Sequence, residues 1–404
     1  MLTKLILQEV IKTQSDLLKK RDAGIERELL KKVKPTRSFA LIITGIRRCG
    51  KSTLLHQMLS STKTPYYLNL EDPRLAGFDV SDFIRAEGVF KELFGDAGTY
   101  FFDEIQNVPE WEKYIRNLVD RNEKVVITGS NASLLSRELG TKLTGRNLRC
   151  ELFPFSYKEF LHLTNKEAGK ESYNAYLANG GFPEYLKQKN DEILQRLFSD
   201  IVMRDVVHRH GLKNEQLVRK IANFVMTNSG KEFSYNSLKK TFEVNAIQTI
   251  IDYITFLEDA YLVFTIPLFS YSSKKQQVNA KKAYSIDTGL SSINSLRFSE
   301  DSGRALENQV FLALRRKHGE IFYYKDTIEC DFVVKEKNRI VMAVQACLSL
   351  TEENKKREID GLSHAMKEFK LSEGLILTLD QDDEFTVDGK KIAVKPVWKW
   401  LLDR

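Results

Sequence analysis

A nine-residue run, Gly45-Ile46-Arg47-Arg48-Cys49-Gly50-Lys51-Ser52-Thr53, constrains the fold of this 404-residue chain more than any other stretch. It has the spacing Gly-x4-Gly-Lys-Ser, follows the apolar run Ala40–Thr44 and precedes a helical pattern over Thr53–Leu59. A strand, a glycine-rich turn and a helix in that order describe a phosphate-binding loop on a parallel α/β sheet. The glycines let successive backbone N–H groups curl round a phosphate, and the helix N-terminus adds its positive end. Lys51 is expected to reach the β and γ oxygens and Ser52 to ligate a metal, so ATP and Mg²⁺ are the expected ligands.

Two further segments fit this reading. Thr99-Tyr-Phe-Phe-Asp103-Glu104 is an apolar strand ending in two carboxylates. Asp103 would emerge beside the loop to hold the Mg²⁺ water shell, and Glu104 would orient or deprotonate the attacking water. The alternative is a pair of acids capping a surface strand. Val125-Val-Ile-Thr-Gly129-Ser130-Asn131 is a third strand ending in small polar residues, which makes Asn131 a candidate γ-phosphate sensor or an ordinary turn residue. Arg146, in Leu143-Thr-Gly-Arg, is either a finger supplied to the γ-phosphate of a neighbouring subunit, which implies a homo-oligomer, or a plain salt-bridge arginine.

At these residues a resemblance becomes specific. The phosphate loop, Phe-Phe-Asp-Glu-Ile-Gln, Ile-Thr-Gly-Ser-Asn, Leu-Thr-Gly-Arg and Glu151-Leu-Phe-Pro-Phe-Ser-Tyr-Lys-Glu-Phe resemble the prokaryotic AAA+-superfamily ATPases that carry a C-terminal domain of unknown function, over nearly the whole chain. The resemblance implies an ATPase core of the ASCE type, a central winged-helix unit and a C-terminal restriction-endonuclease-like fold.

The chain itself is expected to divide into an N-terminal helical segment (1–37), a P-loop ATPase domain (38–150), a helical and winged-helix domain (151–290) and a C-terminal α/β domain (291–404). Leu2–Val33 carries apolar residues at helical spacing, and Gly180-Gly181-Phe-Pro183 breaks the helical pattern after it resumes. Helices are expected over Glu215–Ser229, Ser234–Phe242 and Ala246–Glu258, the last with Asn245 as N-cap, followed by strands at Tyr261–Phe269 and Lys282–Ile286. Lys274, Lys275, Lys281 and Lys282 give the connection between those strands a basic character. It reads either as a wing making sequence-independent contact with DNA phosphates or as a solvated loop on a protein-interaction module. The third helix offers Gln248, Thr249, Asp252 and Glu258 and no arginine, a poor surface for base reading.

In the C-terminal part, Glu307 on a helix and Asp331 and Gln345 on strands follow the order of the PD-(D/E)xK nuclease pattern. That chemistry needs carboxylates for a metal and a lysine to activate water. Here the lysine position holds Cys347, and Gln345 is a weaker metal ligand than glutamate, so a degenerate nuclease site is expected. Lys325 and Lys335 are the lysines that could stand in, and neither is singled out.

Composition narrows the class further. Lys and Arg number 62 against 55 Asp and Glu, a charge of +7 that permits nucleic-acid contact without the density of a coat protein. The four cysteines, Cys49, Cys150, Cys330 and Cys347, form no Cys-x-x-Cys pair, which argues against a zinc site or disulfide framework and for a reducing compartment. Leu2–Val10 is interrupted by Lys4, Gln8 and Glu9, no signal peptide or membrane span is expected, and the cytoplasm is the expected location. The leading expectation is an ATPase that switches its winged-helix and C-terminal domains on DNA or on an unidentified protein partner. The rival is a nucleic-acid-binding adaptor with a slow nucleotide switch.

Overall fold

The computed structural model describes residues 2–130, 145–294 and 302–403, so Asn131 lies outside the described residues. The chain divides into two compact units, Met1–Phe153 and Pro154–Arg404.

The first unit is built on five strands: β1 (Ala40–Thr44), β2 (Pro65–Asn69), β3 (Thr99–Asp103), β4 (Lys124–Gly129) and β5 (Asn147–Glu151). They pair in the order β2-β3-β4-β1-β5, every pair parallel. β1 and β3 are buried along their whole length, which is why they read as continuous apolar runs and not as alternating ones. The helices are α1 (Lys4–Lys20), α2 (Lys51–Ser60), α3 (Val80–Phe94) and α4 (Trp111–Asp120). Asp79 and Asp82 form a capping box that starts α3, and Gly95 at φ 93 ends it.

The amphipathic pattern of Leu2–Val33 resolves into one long helix and a short 3₁₀ turn, Glu28–Lys31. Leu7, Val10 and Ile11 of α1 enter the core formed by Tyr66, Leu68, Phe83, Phe90, Tyr100 and Phe102. Beyond α1 the chain lies along α2: the Gln57 amide donates to the Ala23 and Ile25 carbonyls at 2.8 and 2.7 Å, and its oxygen accepts the Arg27 N–H at 3.1 Å. These side-chain bonds hold the segment extended where a second helix would have satisfied its own backbone.

The second unit opens with helices α5 (Tyr157–Thr164), α6 (Lys170–Asn179), α7 (Pro183–Gln188) and α8 (Asp191–Asp200), the last running into a π-helical stretch, Ile201–His208. The Gly-Gly break before Pro183 has a local cause: a Cβ on Gly180 would lie 2.1 Å from an Asp287 oxygen, and the Gly181 N–H donates to Asp287 at 2.6 Å. Then come α9 (Glu215–Thr227), α10 (Tyr235–Thr241) and α11 (Ile247–Asp259) with a small antiparallel sheet of β6 (Glu232–Phe233), β7 (Val263–Pro267) and β8 (Lys281–Ser285), ordered β6-β8-β7. Ala246, not Asn245, stands at the cap of α11, and no side chain caps that end. The connection between β7 and β8 is not a plain loop, because Ser272 caps a short helix, α12 (Ser273–Val278).

After α13 (Thr288–Ile293) and α14 (Ser302–Arg315) comes a six-stranded sheet with order β13-β14-β12-β11-β10-β9. Its strands are β9 (Glu320–Lys325), β10 (Glu329–Glu336), β11 (Arg339–Ala346), β12 (Glu373–Thr378), β13 (Asp383–Val387) and β14 (Lys390–Pro396). β9-β10-β11 and β13-β14 are antiparallel and β11-β12-β14 parallel. Helix α15 (Lys355–Glu368) buries Leu362, Ala365 and Met366 in the core of this sheet. Among the described residues no helix is long and apolar enough to cross a membrane.

Candidate functional site

The loop from Gly45 to Gly50 joins β1 to α2 and lies at the carboxyl end of the parallel sheet, where open α/β sheets bind ligands. Three of its residues take positive φ: Gly45 at 153°, Arg48 at 62° and Gly50 at 101°. The tightness at the two glycines is steric as well as torsional. A Cβ on Gly45 would stand 2.1 Å from the Leu152 carbonyl oxygen, and one on Gly50 would stand 2.7 Å from Arg27 Nη1. Ile46 and Cys49 are buried and Arg48 is exposed. Burial pushes the Cys49 thiol up despite Lys51 and Arg27 nearby, so it is a packing group that donates to the Leu152 carbonyl at 3.3 Å.

Lys51 is 4% exposed, and its ammonium donates to the Gly45 and Ile46 carbonyls at 3.0 and 3.1 Å. Asp103, at the end of β3, is buried and accepts hydrogen bonds from the Ser52 and Thr128 hydroxyls. Burial and the adjacent Glu104 charge raise the Asp103 pKa, against the pull of Thr128, Ser52 and Lys51. Glu104 sits in the left-handed region at φ 53; its N–H donates to Thr128 Oγ1 at 3.1 Å and its carboxylate accepts from the Gln106 amide. Tyr67 Oη lies 3.4 Å from the second Asp103 oxygen. Ser130 Oγ is buried with no hydrogen-bond partner among the described residues.

Lys51, Ser52, Asp103 and Glu104, chosen from segments fifty residues apart in sequence, are thus brought to one end of one sheet. The donor set suits Mg²⁺, a hard cation that takes one or two protein oxygens and completes its shell with water and phosphate. Thr128 and Arg27 are residues that the sequence reading missed. Arg146 donates to Asp120 of its own chain at 2.8 Å.

Arg27 is 1% exposed and ties the N-terminal segment to the loop: Nη1 donates to the Cys49 carbonyl at 2.6 Å and Nη2 to the Phe153 carbonyl at 2.7 Å. Replacing it with methionine leaves both buried carbonyls without these donors. The expected cost is about 1–3 kcal/mol for each such group, read as a lowered thermal midpoint of the first unit. An unchanged midpoint would show that water takes over both carbonyls.

The second unit holds a separate polar cluster. Glu307 on α14 and Asp331 on β10 do converge, but around Lys282 of β8, while Gln345 on β11 bonds to the Asp331 N–H and to Glu358. The ammonium lies 3.1 Å from Glu307, 2.7 Å from Glu329 and 3.2 Å from Asp331, and Lys282 is 2% exposed. The expectation that Lys282 contacts nucleic acid is therefore corrected: strand β8 turns it inward. Of the other three lysines, Lys274 and Lys275 are exposed on α12, and Lys281 lies 5.3 Å over the Tyr235 ring. Burial works against the Lys282 ammonium, yet Tyr284 and the three acids outweigh it and hold its pKa well above the ordinary value. Burial, with Asp331 beside it, raises the Glu307 pKa above the ordinary carboxylate value. Cys347 is buried and its thiol pushed up to about 12, so it supplies neither a cation nor a base.

The comparisons with known proteins follow these features. An AAA domain family matches residues 37–161 and a domain of unknown function matches residues 170–301. The chain is 34% identical to the uncharacterized protein MJ1544 of Methanocaldococcus jannaschii, covering 99% of this chain and 96% of that one. An uncharacterized protein of Haemophilus influenzae is 30% identical, over 90% of this chain and 94% of its own. Among solved structures, AMPPCP-bound DnaA from Aquifex aeolicus is 16% identical at a TM-score of 0.27, covering 62% of this chain and 88% of that one. Cdc6p from Pyrobaculum aerophilum is 12% identical at a TM-score of 0.24, covering 63% of this chain and 86% of that one. With a phosphate loop on a parallel sheet and 34% identity along almost its entire length, the chain belongs to the family of the archaeal protein MJ1544, and its residues 37–161 are an AAA domain of the P-loop ATPase kind.

Proposed function

We propose that the first unit is an Mg²⁺-dependent ATPase whose turnover switches the position of the modules that follow. The observation that carries this reading is the hydrogen bonding of Ser52 to Asp103 beside the buried Lys51 ammonium. An Mg²⁺ ion held there would supply positive charge against the charge that develops on the phosphate. Ser52 and Asp103 would hold that ion, and the Lys51 ammonium would exchange its two carbonyl partners for β and γ oxygens. Glu104, fixed through its N–H to Thr128, would orient the attacking water and accept its proton. Ser130 and Asn131 would sense the γ-phosphate, and Arg146 would serve a neighbouring subunit only after leaving Asp120.

The second unit reads best as two modules. Helices α9, α10 and α11 with the β6-β8-β7 sheet support a winged helix, and the mixed six-stranded sheet bearing Asp331 and Gln345, with Glu307 on α14, supports a restriction-endonuclease-like fold without nuclease chemistry. The second reading, an adaptor that grips nucleic acid, draws on exposed Lys274 and Lys275 beside Tyr271, which is 81% exposed.

Steady-state ATP turnover tests both. Hydrolysis in Mg²⁺ that stops on chelation is the expected result, and an inert protein overturns the ATPase reading. Turnover that DNA leaves unchanged, together with DNA binding lost in Lys274→Glu/Lys275→Glu, would favour the adaptor.

A further inference from the structure

A metal-dependent nuclease site requires carboxylate oxygens with lone pairs turned toward a common point. In the cluster around Lys282 such oxygens are already engaged. One Asp331 oxygen accepts from the Ala346 N–H at 3.0 Å and the other from Lys282. The Gln345 carbonyl oxygen, the atom that could ligate, accepts from the Asp331 N–H at 3.1 Å, while its amide donates to Glu358 at 2.6 Å. One Glu307 oxygen accepts from Tyr284 at 2.7 Å and from Lys282, and the other lies where a Cβ on Gly230 would be 2.6 Å away. Among the described residues no three acidic, histidine or cysteine side chains are arranged to hold a metal ion. The residues present do not fit the group that the fold resemblance implies.

The point toward which Glu307, Glu329 and Asp331 do converge is occupied by an ammonium. It comes from β8, a strand of a different sheet, and reaches all three acids within 3.2 Å. Burying three carboxylates demands compensating charge, and a divalent cation or a fixed lysine can provide it. Glu329 also has Lys325 at 3.6 Å, whereas Glu307 and Asp331 pair with Lys282.

We propose that Lys282 is an internal cation standing where a divalent metal would stand: it closes the cluster to metal and ties β8 to α14 and β10, and its removal opens a divalent-cation site. The inference rests on the charge geometry of the second unit and is independent of the ATPase reading.

Mn²⁺ titration of the nucleotide-free full chain, followed by the loss of the free-ion resonance signal, tests it. The parent is expected to bind no Mn²⁺ through this cluster, so that Asp331→Asn leaves its titration unchanged. Lys282→Met is expected to gain one Mn²⁺ per chain and to lose it again when Asp331→Asn is added. Lys282→Arg keeps the charge and is expected to bind none. Mn²⁺ binding by the parent that disappears in Asp331→Asn overturns the proposal, as does a folded Lys282→Met that binds none. If Lys282→Met does not fold alone, either added Mn²⁺ or the pair Glu307→Gln/Asp331→Asn should restore its thermal transition. Failure of both rescues would show that the Lys282 chain is needed for packing and not for its charge, which also overturns the proposal.

Discussion

Lys51→Ala is expected to lower ATP turnover by at least about 10²–10³-fold, the range for removing one preorganised charge or donor from a transition state. The ammonium is positioned before any ligand arrives, buried and held by two carbonyls of the loop that it serves. Such pre-ordering means that little reorganisation is needed when phosphate oxygens replace those carbonyls. The measurement is steady-state hydrolysis alongside binding of a fluorescent nucleotide. A variant that turns over at the parental rate would remove the phosphate loop from the chemistry. A thermal midpoint measured beside turnover separates lost folding from lost chemistry, because alanine leaves the Gly45 and Ile46 carbonyls without this donor and Asp103 without its neighbouring cation.

Glu104→Gln is expected to leave nucleotide binding intact and slow hydrolysis by about 10²-fold or more, the scale of a lost general base. The exchange is close to isosteric, and glutamine can keep the contact with Gln106. It also keeps the N–H bond to Thr128, which holds the residue at its left-handed φ. Binding that collapses together with turnover would make Glu104 a metal ligand and transfer the base role elsewhere. Single-turnover kinetics with saturating ATP separates the two outcomes, since only a base defect leaves the bound population unchanged.

The features legible in the amino-acid sequence are those written in contiguous residues. The phosphate loop, the strand into Asp103 and the strand into Ser130 each announce themselves within ten residues, because a fully buried parallel strand is an unbroken apolar run. Arg27 was not legible: it donates to the backbone carbonyls at 49 and 153, and carbonyls leave no mark on composition. Strand β5 was missed for a related reason, since Asn147-Leu-Arg-Cys-Glu at the sheet edge exposes Leu148 and Arg149 and has no apolar run. Lys282 was misread because four lysines in nine residues look like a solvated patch. The strand period held the correction: Lys282 and Tyr284 are two apart on β8 and so share a face, and both reach the same Glu307 oxygen. The order of Glu307, Asp331 and Gln345 was visible, but the fact that their oxygens are already engaged depends on Ala346, Tyr284 and Glu358 contacts that only the folded chain brings together.

The Leu152 carbonyl beside Gly45 and Cys49, and Arg27 between the Cys49 and Phe153 carbonyls, join the phosphate loop to the exit of the first unit. The Leu152 carbonyl fills the space beside Gly45 and accepts from Cys49, while the Leu152 N–H donates to Thr44 at 2.7 Å. Any rearrangement of residues 45–50 therefore alters bonds made by the last two residues before Pro154, whose ring restricts the backbone there. Were a ligand to rearrange the loop on binding, linkage would require tension at that exit and ligand affinity to alter one another. The peptide that leaves the domain meets the loop and Arg27 through main-chain atoms, so the connection is indifferent to side-chain drift at positions 152 and 153 and sensitive to anything that shifts the backbone by a bond length.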